Sequence, residues 1–204
     1  MTGNNTNCDA NSNKADCVLL KAFSVKLNCS NAPSIKEIMW QPPVFNWIKC
    51  NIDGASIGNL GSSSCGGIYR SNHAEFLGAF AYNLGITNSL VAELNGAMFA
   101  IELAHQRGWN QLWLETDSML VTLAFKSKTI VSWHLRNRWE NCIHLTTRMS
   151  FFVTHIFREG NHCADQLANI GLSLNTHFWW DHVPHKIGEG YARNRLGLPY
   201  FRFC

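Results

Sequence analysis

Two stretches of this chain alternate apolar and polar residues and then stop on an aspartate, and no other feature constrains the fold as much. Trp47-Ile48-Lys49-Cys50-Asn51-Ile52-Asp53 runs directly into Gly54-Ala55, and Leu112-Trp113-Leu114-Glu115-Thr116-Asp117 runs into Ser118. A side-chain period of two predicts a strand for each. In the first, Ile48, Cys50 and Ile52 share one face, and Lys49, Asn51 and Asp53 share the other. Each aspartate thus falls where a strand gives way to a turn beside apolar packing. Two further acids occupy comparable places: Glu93 in Ala92-Glu93-Leu94, and Asp165 in Asn161-His162-Cys163-Ala164-Asp165-Gln166-Leu167-Ala168. Acids are seldom set against apolar packing unless a cation compensates them. Asp53, Glu93, Asp117 and Asp165 are therefore candidate ligands for divalent metal.

The clearest helix lies between the two strands. From Ser89 to Arg107, Leu90, Leu94, Ala97, Met98, Ile101 and Ala104 recur at helical spacing, with Ser89 placed to cap and Gly108 to terminate. At about 100° per residue the apolar stripe centres near Ile101, and Glu93 falls about 80° away, at its edge. Glu102 points with Asn95 and Gln106 to the polar side, so Glu93 is expected half-buried and Glu102 solvated. Strands are expected over 64–70 and 75–82, joined as an antiparallel hairpin at Ser71-Asn72-His73. Helices follow at 118–125 and 131–142, then a strand Phe151–Phe157 and a last helix from about Asn161. This order predicts an α/β fold: a five-stranded mixed sheet, an antiparallel meander extended by parallel strands, flanked by helices. Sites in such sheets collect at the carboxyl ends of strands, near a switch in strand order. Asp53 and Asp117 occupy strand ends of that kind.

Length and charge narrow the reading further. The 204 residues, 46% hydrophobic, suffice for one good core with extensions. Residues 1–38 are Asn/Ser-rich and read as a flexible leader, 39–173 as the domain, and 174–204 as an aromatic and basic extension. Within the extension, Phe178-Trp179-Trp180 reads as packing back on the domain. Residues 47–117 carry three Lys/Arg against six acids, and residues 118–160 carry six Lys/Arg against two. An acidic segment followed by a basic one suits a polyanion held beside bound cations. The eight cysteines are scattered without a C-x-x-C pair, and Cys50 falls on the apolar side of its strand as a buried free thiol. The polar N-terminus has no apolar core of a signal, and no stretch is long and apolar enough for a membrane span. A reduced, intracellular chain, nuclear or cytoplasmic, is the expectation.

The ordered set Asn51-Ile52-Asp53-Gly54-Ala55, Cys65-Gly66-Gly67-Ile68-Tyr69-Arg70, Ala92-Glu93-Leu94, Glu115-Thr116-Asp117-Ser118, and His155-Ile156-Phe157-Arg158-Glu159-Gly160-Asn161 with Ala164-Asp165-Gln166-Leu167-Ala168 resembles the type 1 ribonuclease H family. The likeness covers about residues 40 to 173. It is greatest to the plant branch descended from retroelement reverse transcriptases, whose members share the entry Trp40-Gln41-Pro42-Pro43. Singly these pieces are common; together and in order they are a strong signal.

The resemblance implies endonucleolytic hydrolysis of the RNA strand of an RNA–DNA hybrid with two Mg²⁺ ions, Mn²⁺ substituting, roughly 3.5–4 Å apart. It implies that Asp53 bridges both ions, that Asp165 completes the nucleophile side, and that Glu93 and Asp117 complete the leaving-group side. Gly54, Ala55 and Ser118 would contact 2′-hydroxyls across the minor groove of the hybrid. A monomer without an obligate protein partner is expected. The chain departs from the bacterial pattern in its short connection Arg158-Glu159-Gly160-Asn161, which carries no histidine, and in lacking a large basic protrusion. His155 is expected as a packed strand residue. The alternative reading is a nucleic-acid-binding protein that kept the fold and lost turnover.

Overall fold

The structure, a computed structural model, describes residues 34–58 and 60–203. Its contacts divide the chain into two units, one of them residues 37–200. The expected leader falls, up to residue 33, outside the described residues; Ile35–Ile38 forms β1, which pairs with Tyr200–Phe203 in a two-stranded sheet.

The larger unit is built on a mixed sheet of six strands, one more than expected. In chain order they are β2 (Ile48–Ser56), β3 (Gly61–Arg70), β4 (Phe76–Thr87), β5 (Gln111–Thr116), β6 (Ser150–His155) and β7 (His177–Trp180). Their spatial order is β6-β5-β2-β3-β4-β7. The meander β2-β3-β4 is antiparallel, while β5 joins β2 and β6 joins β5 in parallel. The sixth strand comes from the extension: β7 lies antiparallel to β4, with Phe80 opposite Trp179. Its four residues were too short an alternation to stand out as a strand. Gly78 makes the fit, because a Cβ there would lie 2.0 Å from the Trp179 ring.

Helices cover both faces. The helix α1 (Ser89–Gln106) lies on one face with α2 (Met119–Ala124) and α3 (Arg136–Thr146) beside it. They enclose a core of Ile52, Leu94, Met98, Ile101, Leu114 and Trp139. Asn88 caps α1, its side chain accepting from the Val91 N–H, where Ser89 was expected to. On the other face α4 (His162–Gly171) packs on β2 and β3, and Ile68, Ala79, Cys163, Leu167 and Ile187 form a second core. That packing buries the polar side of β2: Lys49 and Asn51 are withdrawn from water along with the aliphatic side. A short helix α5 (Gly188–Arg195) follows. Cys50, Cys65, Cys142 and Cys163 are free and buried. Among the described residues no helix is long and apolar enough to cross a membrane.

Candidate active site

Two close approaches set the helices on the sheet. At Gly54 a Cβ would lie 2.4 Å from the Glu93 backbone nitrogen, so only glycine lets α1 press this tightly on β2. At Gly66 a Cβ would lie 2.5 Å from the Ala168 nitrogen, and α4 presses on β3 from the opposite side. The first contact carries Glu93 against Asp53. Asp117 arrives from the residue after β5, the strand parallel to β2, as the strand-end rule requires.

Asp53, Glu93 and Asp117 each offer a carboxylate oxygen, and these three atoms lie within 4.8 Å of one another. They line one end of a cleft of about 270 Å³ that also exposes Gly54, Ala55, Ser89, Arg158, Asp165 and Asn169. Asp165, in the first turn of α4, stands at this cleft but outside the tight trio, and Arg158 Nη2 donates to its Oδ1 at 3.3 Å. Of the expected hybrid contacts, Gly54 and Ala55 line the cleft; Ser118 follows Asp117 at the start of α2 and is not among the lining residues. A larger hollow of about 550 Å³ over Phe125 and Trp139 lies elsewhere, and its one carboxylate, Glu140, is paired with Lys128.

The trio is electrostatically frustrated. Burial, then the Asp117 and Asp165 carboxylates, push the Asp53 carboxyl up to about 8, against the Gly54 N–H that donates to its Oδ1 at 2.8 Å. Burial and the Asp53 and Asp117 charges push Glu93 up to about 10. Burial likewise raises Asp117, which Asn161 Nδ2 partly offsets by donating to its Oδ1 at 3.1 Å. Glu93 Oε2 is buried with no hydrogen-bond partner among the described residues. Like charges this close cannot all ionise unless a cation joins them. Oxygen-only donors, mutual repulsion and an orphaned carboxylate oxygen fit a hard divalent ion.

Two expectations change here. His155 is exposed rather than packed: it ends the outermost strand β6, and its Nε2–H donates to the Asp117 carbonyl at 3.1 Å. Among the described residues no strand lies beyond β6 in the sheet. Glu102 is half-buried rather than solvated, since Arg138 clasps it with Nε at 2.8 Å and Nη2 at 2.6 Å. Arg138 also donates to Asn95 Oδ1, and Asn95 is buried. Helical periodicity places Glu102 on a face of α1 but says nothing of α3 packing there. Sequence reasoning also passed over Asn161 and Arg158, although the spacing Arg-x-x-Asn-x-x-x-Asp puts both within two turns of Asp165.

The sequence pattern of the reverse transcriptase-like family matches residues 51–171, and the chain belongs to that family. A curated Arabidopsis thaliana protein, named as a candidate ribonuclease H protein, is 32% identical over 165 residues, covering 79% of this chain and 26% of its own length. The chain thus spans about a quarter of that relative. The RNase H1 of the halophilic archaeon Halobacterium salinarum superposes with a TM-score of 0.56 and 28% identity, over 61% of this chain and 96% of the other. An RNase H1 solved with an RNA/DNA hybrid gives 0.55 at 22% identity, over 61% and 96%, a likeness of fold. The fold is that of ribonuclease H.

Proposed function

We propose that the chain hydrolyses the RNA strand of RNA–DNA hybrids at the cleft between β2, β5, α1 and α4. The observation that carries this is the trio Asp53, Glu93 and Asp117 with Asp165 beside it, set at a sheet switch point in a ribonuclease H fold. These four acids would hold two Mg²⁺ ions, or Mn²⁺ in their place. Held by these residues, such ions would supply a lowered pKa for an attacking water and charge to stabilise a leaving oxygen.

The chain's own groups supply the rest. Gly54 and Ala55 present backbone to the cleft without side-chain bulk, which suits a close approach of the minor groove with its 2′-hydroxyls. Glu93, whose Oε2 has no hydrogen-bond partner among the described residues, would accept from a 2′-hydroxyl. Arg158, exposed at the mouth, puts a cation where a phosphate would enter. Hybrid affinity should be modest and salt-sensitive, since Lys128 and Arg138 are already engaged by Glu140 and Glu102.

The test is cleavage of a labelled hybrid with Mg²⁺, with EDTA, and with 2′-deoxy substitutions around the scissile position. Cleavage that needs the metal and stops at the deoxy positions supports the reading. Survival in EDTA, or equal rates on the deoxy-substituted strand, would overturn it.

A further inference from the structure

Beneath the cleft a chain of buried hydrogen bonds leads to Asp117 and has a fixed direction. It begins at Arg70 and Trp40, which can only donate: Arg70 Nη2 reaches Asn51 Oδ1 at 2.7 Å, and the Trp40 indole N–H reaches the same oxygen at 2.9 Å. This orients the Asn51 carboxamide, whose nitrogen must then face the other way. It donates to Glu115 Oε2 at 2.9 Å and to Asn161 Oδ1 at 3.1 Å. That in turn orients Asn161, whose nitrogen donates to the Ile52 carbonyl at 2.9 Å and to Asp117 Oδ1 at 3.1 Å. Turning either carboxamide over would set oxygen against oxygen and N–H against N–H at several contacts. The direction is built in.

The local structure of Asn161 adds an independent sign. It stands at the residue before α4, where asparagine ordinarily caps the helix with its side chain. Here the side chain makes no such bond. The carboxamide instead turns inward, 1% exposed, toward Ile52 in β2 and Asp117 at the end of β5. It serves Ile52 and Asp117 instead of the helix end.

We propose that Asn161 is a positioning residue: it holds the Asp117 carboxylate in the orientation that completes a metal site with Asp53 and Glu93, its own N–H face set by Asn51 and Arg70. The proposal rests on the reading of these acids as metal ligands. Groups hydrogen-bonded to a ligating carboxylate typically change metal affinity about 10–100-fold when removed.

The experiment titrates Mn²⁺ into the full chain and its Asn161→Ala and Asn161→Ser variants, without nucleic acid, after circular dichroism and cooperative melting have shown which variants fold. Serine is included because its hydroxyl can still serve Asn51 or Ile52 if alanine proves too disruptive, yet it cannot span to both Ile52 and Asp117. At least about tenfold weaker Mn²⁺ binding in a folded variant is expected, with a fall in kcat for hybrid cleavage at little change in KM. Affinity equal to that of the unaltered chain in a folded variant would overturn the role, even if that chain cuts hybrid. Weakened affinity supports it even if no cleavage is seen, in which case the assigned reaction fails and the positioning role stands. Absence of Mn²⁺ binding by the unaltered chain would overturn both.

Discussion

Glu115 is buried and Glu93 partly buried, and the fold treats the two in opposite ways. Glu115 is answered at both oxygens: Lys49 Nζ donates to Oε1 at 3.0 Å, and Asn51 Nδ2 to Oε2 at 2.9 Å. Lys49 also lies over the Trp113 ring at 3.3 Å, and although burial pulls it down to about 8 it remains cationic at neutral pH. Glu93 has two acids for neighbours and an oxygen with no partner. The first arrangement is complete within the protein and serves the fold. The second leaves a carboxylate oxygen without a hydrogen-bond partner among the described residues. What separates the two glutamates is therefore not burial but whether opposite charge and donors, or other acids, surround them.

The largest effect should come from neutralising the uncompensated side. Asp53→Asn or Asp117→Asn is expected to lower Mg²⁺-dependent cleavage more than about 100-fold, beyond what loss of an outer hydrogen bond does. Melting of Asp53→Asn without metal should be unchanged or higher, since one repelling carboxylate is gone. A mutant that still cuts hybrid at near its original rate would erase the distinction between the two glutamate environments.

Breaking the compensated side should do the reverse. Lys49→Met leaves Glu115 buried and unpaired, and should cost about 3–5 kcal/mol in denaturant unfolding. Adding Glu115→Leu should recover part of that loss. A Lys49→Met protein as stable as the original would show that the pair is not what holds this layer.

A subtler separation comes from pH. The folded-state values of Asp53, about 8, and Glu93, about 10, lie above the ordinary 3.8 and 4.5. The native state then binds these protons more tightly than the unfolded chain, so their contribution is fully present below about pH 4 and is lost as pH rises toward 8 and beyond. Metal-free protein should melt at progressively lower temperature from about pH 5 to pH 8, with a shallower fall in Asp53→Asn. Mg²⁺ should raise the melting temperature more at the upper end. Equal Mg²⁺ shifts across the range would contradict the frustrated trio.

The smallest effect belongs to Glu102→Gln, which weakens the clasp with Arg138 between α1 and α3. It should cost about 1–2 kcal/mol of stability and leave the cleavage rate per folded molecule unchanged. A drop in rate comparable to that of Asp53→Asn would mean that α1 transmits strain to Glu93.

Glu102 also shows where reading the chain stops. Its place on α1 followed from a period of 3.6, but whether that face meets water or Arg138 depended on α3, more than thirty residues away. A period of two puts Lys49 and Asn51 on the face opposite the aliphatic side chains but does not say that this face, with Arg70 beside it, is buried in the fold. His155 shows the opposite error, a strand residue left exposed because β6 is outermost. In each case the missing information is which surface covers which.

The sequence by itself determined most of the order of elements, the end of β5 beside Asp117, and the partial burial of Glu93, because period, turn residues and acid placement are local properties. Asp53, expected to end its strand, instead lies three residues before the end of β2, which continues through Gly54–Ser56 paired to β3. It marks only the end of the parallel pairing with β5. It also carried the family likeness, which depends on residues in order along the chain. Only the tertiary structure decided that β7 adds a sixth strand, that Asp165 stands beside the trio rather than within it, and that Asn161 reaches Asp117. These follow from long-range packing, set by close approaches such as Gly54 against Glu93 and Gly66 against Ala168. No local period encodes such contacts.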